Sequence, residues 1–530
     1  MEMSLLDTSQ IVEAEFVDDD FQSKSWQSER RQNRFYDSDG TKAESGDADD
    51  GCSFSDGNAE MQAYLLAQKQ YGEAIIRKND KVTLSEPNFA CYLKHAVKAC
   101  WLPSTGQFHL YSPDNGAWRA VSEVEMLREM KLRLSKYLCL LGLRDQLHLL
   151  KNGFLMAVMK HLKAEIMEAA DFFDSKYHKR KVLGANGVVD FANPHEPALI
   201  PFDANFRFAA PGRFKFNPDA KCEIFMDTLR NSMDDDDIDV LLAYLGSCLI
   251  GGNPTQQMLC IEGKGNSSKS TIVNIAEKVI GPERFTELLT EKLKRPFEIS
   301  AYVGKSVLVG KDVPGNFLQL SGASYLKKLT GNDSLTAEQK GLNDRVTILG
   351  NKAIMITSNS RMKVKISNDR EAWARRLLYI RASAKVEYTP IPSFEDKILE
   401  DEGEGVFNLF IRSASKFLSY ADTIGKIPLS DCQRAYVDGL FSESMSIDLF
   451  VERRLERNPQ SQMTSEELYD AYLAYCSKAQ WFAYDKLSFY NSIGGLISKR
   501  FSISQTHSIK RDGKSKRGFS GIDVKNDQAE

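Results

Sequence analysis

An apolar run, Met258–Glu262, passes into Gly263-Lys264-Gly265-Asn266-Ser267-Ser268-Lys269-Ser270-Thr271, and helical apolar spacing continues through Thr271–Val279. A buried strand that ends in a glycine-bearing turn and returns as a helix belongs to an α/β domain with a largely parallel sheet. Such a turn aims successive backbone N–H groups, and the helix N-terminus, at one anion. Gly263 and Gly265 let the chain curl without a side chain in the way. Lys269 is placed to reach β- and γ-phosphates as a point charge, and Ser270 to offer its hydroxyl to Mg²⁺. The stretch Gly263–Thr271 therefore predicts binding of ATP or a close relative with Mg²⁺. One position departs from the usual pattern, in which Gly precedes the Lys. Ser268 suits a helix start and can add a donor, but its Cβ crowds the loop.

Three further segments bear on that site. Val307-Leu308-Val309-Gly310-Lys311-Asp312 is an apolar strand, expected beside the loop strand, that ends in an acid. A lone Asp after a strand is ordinarily a loop residue; downstream of a phosphate loop, Asp312 becomes the candidate to hold Mg²⁺ or orient water. Lys311 stands where ATPases of this type often carry another acid, so both duties fall on Asp312 or a second acid comes from elsewhere. Ile354-Met355-Ile356-Thr357-Ser358-Asn359 ends in an amide that either makes a turn or positions the hydrolytic water. Arg375 and Arg376 precede the strand Leu377–Ile380. One of them enters a neighbouring subunit's site as an arginine finger, or both serve edge-strand salt bridges. The sequence leaves open which arginine is the finger.

A chain of 530 residues is too long for one core. Residues 1–60 carry 16 acidic and 5 basic side chains and residues 498–525 carry 2 and 8, so the net charge of -4 hides a strong asymmetry. That excludes a uniformly basic nucleic-acid binder and leaves local basic surfaces open. None of the nine cysteines forms a C-x-x-C pair, which argues against a zinc ribbon or redox pair, and the odd count fits a reducing cytoplasm. No signal peptide and no 18-residue apolar run is visible, so no membrane span is expected.

Four regions follow. Residues 1–58 read as a disordered acidic segment, in which Leu5–Phe21 is either a docking peptide or part of a solvated tail. Residues 59–235 read as a mostly helical domain, with helices at Met61–Ile76, Phe89–Ala99, Met126–Leu141, Leu150–Phe173 and Cys222–Met233. Short strands are expected there at Phe108–Tyr111, Ala117–Val121 and Val188–Val189. Residues 236–425 form the α/β ATPase region, with further strands at Ser306–Val309, Val346–Leu349 and Ala353–Thr357 and a closing helix at Phe394–Tyr420. In residues 440–530, helices at Leu468–Cys476 and Phe489–Ile497 precede two strands, Phe501–Ile509 and Phe519–Val524. These flank a basic turn, Lys510-Arg511-Asp512-Gly513-Lys514-Ser515-Lys516-Arg517-Gly518, in the outline of a winged helix. Lys510, Arg511, Lys514, Lys516 and Arg517 are candidate DNA contacts, set against a merely solvated turn.

Taken together, the four motifs resemble, in order and spacing, superfamily 3 helicases of the poxvirus primase-helicase kind, found in phages, satellite elements, plasmids and large DNA viruses. Leu326-Lys327-Lys328-Leu329-Thr330-Gly331-Asn332-Asp333-Ser334-Leu335-Thr336-Ala337-Glu338-Gln339-Lys340 looks like that family's additional motif, which leads to a channel loop in a ring. The resemblance implies that Lys340, with Lys327 or Lys328, touches DNA. Trp118, Asn186–Asp190 and Asn217–Cys222 are similar to the domain preceding the motor, so the likeness spans roughly residues 85–525. It implies an AAA+-like motor, a homohexamer hydrolysing ATP between subunits, and translocation on single-stranded or forked DNA in a bacterial host cytoplasm. The polar N-terminal segment is too short for a primase domain, so a separate primase, polymerase or single-stranded-DNA-binding protein becomes an expected partner. Two other outcomes stay open: a ring ATPase that loads or remodels replication proteins without unwinding, and a weakly hydrolysing DNA-binding scaffold.

Overall fold

Five strands lie side by side and parallel, in the order Phe285–Glu287, Val307–Gly310, Ala353–Ser358, Met258–Glu262, Leu377–Arg381. Strands covered on both faces read as unbroken apolar runs, and Val307–Gly310 and Ala353–Ser358 are buried along their whole length. The computed structural model describes residues 54–78, 81–289, 292–293, 298–320, 322–338, 345–364, 370–385 and 391–525. Lys340 and residues 1–53 lie outside these. The chain is mixed α/β around this parallel sheet.

Alternation along each strand assigns the two faces. Leu259, Ile261, Met355, Leu378 and Ile380 pack with the helices Asp235–Ile250, Lys269–Ile280 and Phe394–Thr423. Met258, Cys260, Ile354, Ile356 and Tyr379 pack on the other side with the helices Ala323–Thr330 and Asp431–Ser444. The loop strand and the acid strand, expected as neighbours, are separated by Ala353–Ser358. The strand expected at Val346–Leu349 does not join the parallel sheet. It runs Arg345–Leu349 and pairs antiparallel with Ser334–Glu338. Only Ile348 is buried between exposed Thr347 and Leu349, the alternation of a ribbon with one wet face.

The region 59–235, expected as mostly helical, is mixed. Its helices are Phe54–Tyr71, Glu86–Ala96, Glu123–Leu140, Asn152–Glu165 and Glu223–Ser232. Between them lie three small antiparallel sheets: Ile75–Lys78 with Lys81–Leu84; Ala99–Leu102, Gln107–Ser112 and Ala117–Val121; and Lys181–Gly184, Gly187–Asp190 and Ala198–Ile200. The helix expected to reach Phe173 stops at Glu165 because the chain is drawn onto a strand. Trp101 N–H donates to Ile166 O at 2.9 Å, and Glu168 N–H to Trp101 O at 2.9 Å. Tertiary pairing here overrides local helical spacing.

At the C-terminal end, the helices Ser446–Arg454, Ser465–Lys478 and Lys486–Phe501 alternate with a three-stranded antiparallel sheet. In it, Lys514–Val524 lies between Leu455–Thr464 and Thr506–Arg511. Pro459 falls in the register break of Leu455–Thr464, an edge strand, where a missing N–H is tolerated. The expected basic turn shrinks to two residues, Asp512 and Gly513, at φ +51° and +73°. Two successive positive φ angles are what a tight hairpin requires, and Asp-Gly supplies them. Lys510 and Arg511 therefore end one strand, and Lys514, Lys516 and Arg517 open the next. None of the described helices is long and apolar enough to cross a membrane.

Candidate functional site

Because the five strands are parallel, the segments that leave their C-terminal ends share one edge of the sheet. Gly263–Ser270, Asp312 and Asn359 all leave from that edge. Gly263 N–H donates to Ser358 O at 3.0 Å, tying the loop to the Asn359 strand. Asp312 N–H donates to Thr357 Oγ1 at 2.9 Å, and Val313 N–H to Thr357 O at 2.9 Å. The Ser358 hydroxyl donates to Val313 O at 2.8 Å. Thr357 and Ser358, both buried, thus bind the acid-bearing turn to the Asn359 strand. Their one signal in the sequence is a pair of hydroxyls at the end of an apolar strand.

Within the loop, the Lys269 ammonium donates to Gly263 O at 2.6 Å, Lys264 O at 2.9 Å and Ser267 Oγ at 3.0 Å. Burial pulls its pKa down, and the charge of Asp312 works the other way. Lys269 and Asp312 are therefore electrostatic neighbours. The two loop glycines differ. A Cβ on Gly263 would meet Ala382 O at 2.0 Å, whereas one on Gly265 would meet nothing within 4 Å. Ser270 is exposed at the start of the helix Lys269–Ile280. Ser268 sits at φ +59° and Asn266 at φ +62°, in the left-handed region. A β-carbon costs about 1–2 kcal/mol in that region, so the usual Gly before the Lys has a conformational reason that Ser268 forgoes.

Lys311 turns away from Asp312 and reaches the helix behind the loop, 3.2 Å from Asn274 Oδ1 and 3.4 Å from Glu277 Oε2. A different carboxylate stands at the same edge. Glu262 Oε2 accepts from Tyr379 Oη at 2.7 Å and Tyr436 Oη at 3.1 Å. Among the described residues, no group of three His, Cys, Asp or Glu side chains could hold a metal without further ligands.

The two arginines separate. Met258 N–H donates to Arg376 O, so both precede Leu377 at the opposite edge, one strand length from their own loop. Five residues of strand span about 16 Å. Arg376 is buried; its guanidinium donates to Ala372 O at 2.9 Å, and its Nε has no partner among the described residues. Burial lowers its pKa and Arg375 adds to the fall. Arg375 is exposed.

Of the other expected contacts, Lys328 is exposed at the end of the helix Ala323–Thr330, and Lys327 lies 5.4 Å from the Trp373 ring centre. In the C-terminal hairpin, Arg511 is bound to Glu467 at 2.8 Å and Gln462 O at 2.6 Å, and Lys516 to Glu466 at 3.4 Å. Lys510, Lys514 and Arg517 are exposed.

Residues 261–376 match the model of a family described as of unknown function, DUF5906. That span runs from the end of the loop strand to Arg376. No curated protein matches the chain. Among solved structures, three of the NrS-1 C-terminal region, two titled A-form apo and one apo, align over 82% of this chain and 98% of theirs. They are 13–14% identical to it, with TM-scores of 0.39–0.40.

Proposed function

We propose that this chain is an ATP-hydrolysing DNA motor of the superfamily 3 helicase kind, working as a ring, by expectation a hexamer, in replication of a phage or other mobile element. The observation that supports it is the convergence of the loop, Asp312 and Asn359 on one sheet edge, with the Asn359 strand lying between loop strand and acid strand. That strand order favours a P-loop AAA+-like motor over a generic nucleotide-binding sheet. The residues fit a Mg²⁺-bound nucleotide: Gly265 faces open space, Ser270 is exposed at a helix N-terminus, and Lys269 and Asp312 feel each other's charge. When bound, Mg²⁺-ATP supplies the phosphoanhydride to be cleaved and a divalent charge. Residues 263–271 aim N–H groups at the phosphates, Lys269 neutralises them, and Ser270 and Asp312 hold the metal. Asn359 orients water.

Arg375 is the finger in this reading, because it is exposed while Arg376 is committed to its own subunit. Its distance from its own loop favours delivery to a neighbouring subunit. The C-terminal order of helix, strand, two helices and hairpin supports reading it as a winged helix. Lys510, Lys514 and Arg517 form its DNA-facing charge; phosphate contacts of this kind are salt-sensitive and largely independent of sequence. ATP turnover and strand displacement on a forked duplex test the proposal. Turnover without displacement would leave a loading or remodelling ATPase. A second reading, a slowly hydrolysing scaffold, draws on the strained Ser268; turnover at background in the parent protein would favour it.

A further inference from the structure

The segment after Asn359 is anchored at four successive residues, and two of them, Arg361 and Val364, are held from outside the sheet. Arg361 Nε pairs with Glu443 Oε2 at 2.7 Å, and a second guanidinium nitrogen donates to Tyr436 Oη. The guanidinium carbon also lies 4.6 Å from the Tyr436 ring centre. Glu443 is only 2% exposed and Arg361 is half-buried, so the pair is largely shielded from water on the carboxylate side. Met362 N–H donates to Tyr379 Oη at 3.1 Å, Lys363 N–H to Gly315 O at 2.7 Å and Val364 N–H to Ser444 Oγ at 3.0 Å. Tyr436, Glu443 and Ser444 all belong to the helix Asp431–Ser444. That helix is in turn fixed to the C-terminal unit, where Tyr484 Oη donates to Ser444 O at 2.9 Å. Tyr436 and Tyr379 meet on Glu262, the residue that opens the phosphate loop.

We infer that Arg361 is a positioning residue for the ATPase reaction: by clamping residues 360–364 onto the helix Asp431–Ser444, it sets where Asn359 stands relative to the loop. The role rests on the ATPase reading above. It requires that Arg361 act only through Asn359, and that the C-terminal unit influence turnover through the same clamp. A merely structural arginine would lower stability without this signature.

The test compares Arg361→Met, Asn359→Ala and the double variant in the full-length protein. Amide exchange, measured without nucleotide, should quicken about tenfold or more at Met362 and Val364 in Arg361→Met, with the strand Ala353–Ser358 still protected. Turnover should fall about tenfold or more, because small misplacements of a catalytic group are costly. KM for ATP, and the Kd of a non-hydrolysable ATP analogue, should change by less than about twofold. Adding Arg361→Met to Asn359→Ala should cause no further loss, since residues acting as one unit are non-additive. If Arg361→Met does not fold, Tyr436→Phe, which keeps the ring and removes both hydroxyl contacts, should give the same pattern in milder form. Unchanged exchange, unchanged turnover, or losses that multiply would overturn this role alone. A parent that neither binds the analogue nor hydrolyses ATP would overturn the ATPase reading and this role with it.

Discussion

The two glycines of the phosphate loop do different work, although they look alike in sequence. Gly263→Ala drives a Cβ to within 2.0 Å of Ala382 O, so it should destabilise the protein by about 2 kcal/mol, the scale of an overpacked core. Gly265→Ala meets nothing, so its melting temperature should match the parent's while nucleotide affinity falls. Thermal melts paired with analogue titration separate the two; equal melting temperatures for both variants would contradict the steric account. Ser268 supplies a second residue-scale expectation. Replacing it by Gly removes the left-handed strain of about 1–2 kcal/mol and adds glycine's backbone entropy cost of about 0.5–1 kcal/mol. Stability should therefore rise by about 0–1.5 kcal/mol, with turnover equal or faster. A tenfold drop in turnover would instead make the Ser268 hydroxyl a necessary donor.

At the scale of elements, helix starts make checkable contributions. Thr464 caps the helix Ser465–Lys478, accepting from Glu467 N–H while the Glu467 carboxylate accepts from Thr464 N–H. Thr464→Ala should cost about 1 kcal/mol by chemical denaturation. Ser122 and Glu125 make the same reciprocal pair ahead of the helix Glu123–Leu140. Bonds from the Ser122 N–H, the Arg119 side chain and the Ser122 hydroxyl hold the Glu125 carboxyl down at about 2, against an ordinary 4.5. A depressed carboxyl pKa stabilises the fold above the ordinary value, and that stabilisation is lost as pH falls from 4.5 toward 2. Glu125→Gln should thus be less stable than the parent at pH 7 and indistinguishable from it near pH 2.

How far elements could be read in sequence follows from how local their causes are. Met258–Glu262 matches its expected span because an unbroken apolar run next to glycines has no competing explanation. The helix Phe394–Thr423 is recovered for a similar reason, a long stretch of 3.6-residue spacing. Ala99–Leu102 is not legible as a strand because helical apolar spacing runs up to Ala99 and part of its pairing comes from Ile166, remote in sequence, although its hairpin partner Gln107–Ser112 lies just across a short turn. Arg345–Leu349 pairs outside the parallel sheet, which its sequence does not announce, because a short apolar run carries no record of its partner. Asp512-Gly513 was legible as a tight hairpin and was submerged in the surrounding basic residues. At the candidate site, Lys269, Asp312 and Asn359 are legible as candidates from motif spacing, whereas the contacts of Glu262, Arg361 and Glu443 depend on the helix Asp431–Ser444, remote in sequence, lying beside the sheet.

On the scale of the whole molecule, the proposed function assigns the two ends of the parallel sheet complementary parts of one reaction. The phosphate loop, Asp312 and Asn359 occupy one edge, and exposed Arg375 the other. A head-to-tail ring, in which each interface joins unlike surfaces, brings such parts together between subunits and not within one. The helix Asp431–Ser444 links the loop edge to the C-terminal unit, through Tyr436 on Glu262 and Tyr484 on Ser444. In the proposed motor, DNA held by Lys510, Lys514 and Arg517 should raise ATP turnover, and at sub-saturating DNA Lys510→Ala with Lys514→Ala should reduce that stimulation more at low salt than at high.

The intersubunit site is tested most directly by mixing two inactive proteins. Lys269→Ala removes the loop cation and Arg375→Ala removes the finger, so each alone should hydrolyse ATP at background. In a one-to-one mixture, about a quarter of the interfaces of a head-to-tail ring join an intact loop to an intact Arg375. The account predicts that DNA-stimulated ATP turnover reappears in the mixture; a mixture no more active than its components, beside an active parent, would contradict it.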